Sequence, residues 1–81
     1  MGSKLKTLSS EELVKFLSSF GFALTSQKGS HLKLHRQTQA GKDTLVIPVR
    51  KEIPKGTLKA IFNQASRFIP QNELRKFFYT E

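Results

Sequence analysis

Gln27-Lys28-Gly29-Ser30-His31-Leu32-Lys33-Leu34-His35-Arg36 runs through the middle of this 81-residue chain with a clear period. Leu32 and Leu34 alternate with His31, Lys33 and His35, as side chains do on a strand with one face buried. A helix would instead bring His31 and His35 together at i, i+4. The alternating leucines argue against that, and an extended strand holds the two imidazoles about 13 Å apart. The strand therefore carries one histidine-and-lysine side toward water and one leucine side toward a core. Gln27 to Ser30 reads as a turn, with Gly29 free to adopt the positive φ that a turn needs.

Working outward, Phe22 to Ser26 alternates large with small residues and reads as a strand that turns Phe22 and Leu24 toward a helix. That helix is expected over Ser10 to Phe20. Ser9 and Glu12 have capping-box spacing, Leu8 can staple onto Leu13, and Gly21 suits a left-handed C-terminal cap. Its apolar stripe of Leu13, Phe16, Leu17 and Phe20 is a core face. Downstream, Gln37 to Asp43 reads as a polar loop. Thr44 to Val49 follows as a third strand, and Pro48 removes a ladder donor and so puts this strand at a sheet edge. Leu58, Ile61, Phe62 and Ala65 define a second helix over Lys55 to Ala65, packed on the Leu32 and Leu34 side. A third short helix runs from Pro70 to Phe78, with proline in its first turn. The expected class is α+β, in the order α-β-β-β-α. Its helices lie on one face of a three-stranded antiparallel sheet, with a C-terminal helical extension.

The chain is expected to be a single domain over residues 1–81, since its 37 % hydrophobic content with seven Phe supports one modest core. Met1-Gly2-Ser3 reads as a possible cloning remnant. Fourteen Lys and Arg against six acidic residues give a formal charge of +8 and favour a polyanionic partner, nucleic acid first. There are no cysteines, which excludes disulfides and thiolate metal sites. No apolar run approaches the ~20 residues of a membrane span, and no signal-peptide core is seen, so a cytoplasmic location is expected, with no membrane partner.

Histidine can exchange a proton near neutral pH, whereas lysine attracts anions. Metal-free cleavage of RNA uses the substrate's own 2′-OH as nucleophile, and needs a proton-transfer group with cations for the developing charge. The pattern by itself leaves two readings: His31 with Lys28 and Lys33 supplying that need, or a surface histidine on a binding face. His35 is read as solvated or phosphate-contacting. The carboxylates are too scattered for a metal site, and neither a metal nor a small-molecule cofactor is implied. At the second helix, Lys55, Gly56 and Thr57 open an N-terminus whose unpaired N–H groups attract phosphate, helped by Lys51 and Lys59.

The ordered set Gly21-Phe22, Gln27-Lys28-Gly29-Ser30-His31, Ile47-Pro48-Val49, Lys55-Gly56-Thr57-Leu58, Ile61 and Gln64-Ala65 resembles the HicA toxins of bacterial HicAB toxin–antitoxin pairs. The resemblance implies a double-stranded-RNA-binding-domain-like fold, an mRNA-cleaving endoribonuclease (mRNA interferase), a catalytic histidine matching His31, and a HicB-type antitoxin. It differs at Ser26, where the family often has Arg, and at Arg50, where a second histidine is common. Arg50 can stabilise a charged phosphorane but cannot shuttle a proton at neutral pH. The RNA-contacting residues expected around the catalytic one are Lys28, Gly29, Ser30, Lys33, Arg50 and Lys51, with Lys55, Gly56, Thr57 and Lys59 at the helix start. The alternatives are a catalytically silent RNA-binding module and a structural partner-binding subunit.

Overall fold

Ser9 opens the first helix as its spacing demands. Its Oγ accepts the Glu12 N–H at 3.1 Å, while Glu12 Oε1 accepts the Ser9 N–H at 2.9 Å. This reciprocal pair satisfies two of the donors that a helix start leaves unmatched. The computed structural model describes residues 4–80, so the Met1 to Ser3 reading falls outside it. Within that span the elements are β1 (Lys4–Leu5), α1 (Ser10–Ser18), β2 (Ala23–Lys28), β3 (His31–Thr38), β4 (Gly41–Pro48), α2 (Lys55–Ala65), α3 (Gln71–Phe78) and β5 (Tyr79–Thr80). Helix α1 ends two residues earlier than expected. Gly21, at φ 92°, closes it through Phe22 N–H to Leu17 O and Gly21 N–H to Ser18 O, at 3.1 and 3.0 Å.

Strands β2, β3 and β4 form an antiparallel sheet in that order, with β3 in the centre. Pro48 sits on the outer strand β4, where a missing ladder donor is tolerated. The inner side chains Leu32, Leu34, Leu45 and Ile47 are buried in one cluster with Leu13 and Leu17 of α1 and Leu58, Ile61 and Phe62 of α2. The helices thus cover one face of the sheet. Helix α3 joins the same cluster through Leu74 and Phe78. Phe77 stacks on Phe16 at 4.1 Å, and Phe78 meets Phe62 edge-on at 5.3 Å. No helix among the described residues is long and apolar enough to cross a membrane.

Three local expectations need correction. The polar loop from Gln37 to Asp43 is instead mostly ladder: β3 continues to Thr38 and β4 begins at Gly41, leaving only Gln39 and Ala40 between them. Polar residues extend these strands because their cross-strand hydrogen bonds do not depend on side-chain apolarity, and Gly41 takes φ 137° at the turn. The turn at Gly29 is likewise shorter, since β2 reaches Lys28. Leu24 pairs with Leu34 and shares its side of the sheet, yet it is 48 % exposed. Every residue of edge strand β2 is exposed. The sequence also gave no sign of the β1–β5 ribbon, which pairs Lys4 with Thr80 and Leu5 with Tyr79.

Candidate active site

The hairpin of β2 and β3 turns through Gly29 and Ser30, with Gly29 at φ 58° in the left-handed region. Its tip is tied down twice. Gln27 Nε2 donates to Gly29 O at 3.2 Å, and Val49 N–H donates to Ser30 O at 2.7 Å. His31 is the first residue of β3 and is exposed. It lies opposite Lys28 on one side and Pro48 on the other. Cross-strand partners point to the same face of a sheet, so Lys28, His31 and Pro48 form a row, with Lys33 one step along β3 on that face.

The strands put no carboxylate on that face among the described residues. Among the described residues, Glu11 and Glu12 lie on α1, Glu73 on α3 and Glu52 in the loop before α2. Asp43 alternates to the inner side, where it pairs with Arg36 at 2.7 Å. The outer face therefore presents Lys28, Lys33 and Lys42 with no acidic neighbour on the same side, a field suited to a polyanion. Among the described residues, no group of three or more His, Cys, Asp or Glu side chains is arranged to hold a metal ion.

The residues singled out in the sequence fall into three groups. Lys28, Gly29, Ser30, His31 and Lys33 come together at the hairpin. Arg50 and Lys51 follow β4, where Ser10 fixes the backbone: Ser10 N–H donates to Arg50 O at 2.9 Å, and Arg50 N–H donates to Ser10 Oγ at 3.1 Å. Arg50, Lys51, Val49 and the start of α1 line a hollow of about 350 Å³. Lys55, Gly56, Thr57 and Lys59 make a separate group at the start of α2. The Lys55 ammonium there donates to Leu5 O and Lys6 O, at 2.9 and 3.0 Å, so it braces the N-terminal strand.

His35 stands farther along the same face, half-buried, with Nδ1 2.8 Å from Thr25 Oγ1. Its pKa lies below histidine's ordinary 6.5, first because of desolvation and then because Lys42 and Lys33 repel a further positive charge. Thr25 was not foreseen as its partner. A pairing irregularity between Leu24 and Ser26 adds one residue to β2, and strict alternation does not reveal such a residue.

Fold and site together define a small basic α+β protein that presents a histidine on an uncovered cationic sheet. Residues 10–66 match the family described as the HicA toxin of bacterial toxin–antitoxin systems, a span that holds all three sheet strands, α1 and α2. The chain belongs to the HicA toxin family. This membership supports, in general terms, a toxin-type, mRNA-cleaving function and a toxin–antitoxin partner. Comparison with curated proteins gave no match.

Proposed function

We propose that this chain is a toxin-type endoribonuclease that cleaves mRNA without a metal, with His31 as the proton-transfer group. The carrying observation is the position of His31, exposed at the head of β3 beside Lys28 on a face where the described strands place no carboxylate, inside the span that matches the family. The ribose 2′-oxygen attacks phosphorus while His31 takes its proton. The bond from phosphorus to the 5′-oxygen then breaks, and the leaving oxygen takes a proton relayed through water from the His31 imidazolium, which returns to its neutral form. Cyclic phosphate and 5′-hydroxyl ends result. Lys28 and Lys33 stabilise the charge that builds on the phosphoryl oxygens, and the Gly29-Ser30 turn lets backbone approach the phosphate. Arg50 with Lys51, and the α2 start with Gly56 and Thr57, hold flanking phosphates.

A HicB-type antitoxin is the proposed partner, covering the His31 face in the cytoplasm, since so shallow a site has no internal gate. Expression of the chain alone should slow bacterial growth. Normal growth, with the chain abundant in the soluble fraction, would count against the toxin reading.

One observation favours the runner-up, a silent RNA-binding module: among the described residues no hydrogen bond orients the His31 ring, unlike most proton-transfer histidines. Cleavage of single-stranded RNA by the purified chain and by His31→Ala separates the two. Catalysis predicts a rate loss of about 10² to 10⁴-fold with the fold and most RNA affinity retained. Equal cleavage by a folded His31→Ala chain would exclude His31 as the catalytic group.

A further inference from the structure

The face that carries His31 continues along the sheet to a second, built feature that the cleavage reading does not use. Thr25 is the extra residue of β2, and an extra residue in a bulged strand places its side chain on the same side as the next one. Its hydroxyl thereby reaches two groups of β3: Lys33 O at 3.2 Å and His35 Nδ1 at 2.8 Å. A hydroxyl has one proton. The carbonyl can only accept it, so the assignment that satisfies both contacts has the imidazole donating from Nδ1–H to Thr25 Oγ1. Nε2 then carries a lone pair. Among the described residues no buried polar side-chain atom lacks a partner, and none of those residues bonds His35 Nε2, so this lone pair is open to solvent.

We propose that the Thr25–His35 pair is a ribose-reading subsite for single-stranded RNA, in which His35 Nε2 accepts a hydrogen bond from a 2′-hydroxyl about 13 Å along β3 from His31. The inference rests on the RNA reading of the preceding subsection and adds a recognition site to it. Charge complementarity selects the occupant. The subsite is flanked by Lys33 and Lys42, and the carboxylate nearest in sequence, Asp43, lies on the opposite side of the sheet, bonded to Arg36. Between His31 and His35, Val46 is 38 % exposed opposite Lys33 and offers an apolar contact for a sugar or base. The lowered pKa of His35 keeps the ring neutral, and hence an acceptor, near pH 7. At 13 Å the two histidines cannot act on one phosphate, so His35 recognises and does not cleave.

The test is binding of RNA and DNA oligonucleotides of one sequence to the full chain carrying His31→Ala, which keeps the RNA intact. RNA should bind more tightly than DNA. His35→Ala should weaken RNA binding about fivefold, one neutral hydrogen bond, while leaving DNA affinity and the salt slope unchanged. Thr25→Val should act similarly, and Thr25→Ser should restore the parent value. Lys42→Gln should weaken both ligands and flatten the salt slope by about 0.7. Circular dichroism of each exposed-face variant checks the fold. Equal affinity of the parent for RNA and DNA, or equal effects of His35→Ala on both, overturns the subsite and leaves cleavage at His31 standing. Absence of cleavage by the chain with His31 intact, with the His35-dependent RNA preference retained, overturns the nuclease and leaves the subsite. Loss of antitoxin binding with unchanged RNA affinity assigns the face to a protein and also overturns the subsite.

Discussion

Arg36 follows His35 by one residue and so projects to the opposite side of the sheet. There its guanidinium donates twice to Asp43 Oδ2, at 2.7 and 3.1 Å, and once each to Phe20 O and Phe68 O, both at 3.1 Å. It also lies 4.8 Å from the centre of the Phe22 ring. One side chain thus joins β3 to β4, to the end of α1 and to the segment after α2. Arg36→Ala should cost about 3 kcal/mol, because the carbonyls and Asp43 lose charge-assisted partners together; the urea midpoint measures it. His35 gives a pH prediction with a definite sign. The groups facing it are Thr25 from β2, Lys33 on its own strand, and Thr44 and Lys42 from β4. Its folded pKa is depressed, so the unfolded chain binds more protons below pH 6.5, and this contribution to stability is lost as pH falls through that window. An NMR titration should place the His35 midpoint below 6.5, and Lys42→Gln should move it upward.

The elements separate what periodicity can reveal from what it cannot. Helix α2 occupies Lys55–Ala65 as read from four apolar positions, and β3 shows the Leu32 and Leu34 face because both leucines are buried. Leu34→Ala should cost roughly 2 to 5 kcal/mol by opening a cavity, seen as a lower thermal midpoint. The hairpin with His31 was equally legible, since a glycine turn and an alternating strand leave local marks. Strand β1, the bulge at Thr25 and the reach of Arg36 were not, because each depends on a partner distant in sequence or on one residue out of phase. The start of α2 is a mixed case. Its lysines are plain in the sequence, but only the structure ties Lys55 to Leu5 and Lys6. Lys55→Gln should therefore speed amide exchange in β1 and β5, whereas Lys59→Gln should act on RNA alone, flattening the salt slope by about 0.7.

For the molecule as a whole, the sheet separates two tasks: its inner face joins the helices, and its outer face is left for contacts beyond the chain. The edge strand β2 is exposed along its whole length, and its pairing irregularity has a further consequence. Leu24 opposes Leu34 and Ser26 opposes Lys33, so the ladder on either side of Thr25 is already in step without it. An in-frame deletion of that single codon should leave both halves of the hairpin in register. Backbone resonances of β3 and β4 would stay in place, while the His35 ring loses its orienting hydroxyl. The deletion would also straighten an exposed border that the bulge now blunts. The shortened chain should then self-associate more readily than its parent in sedimentation experiments. A residue that is dispensable for strand pairing would, on this view, be kept both to orient a ring and to keep copies of the chain apart.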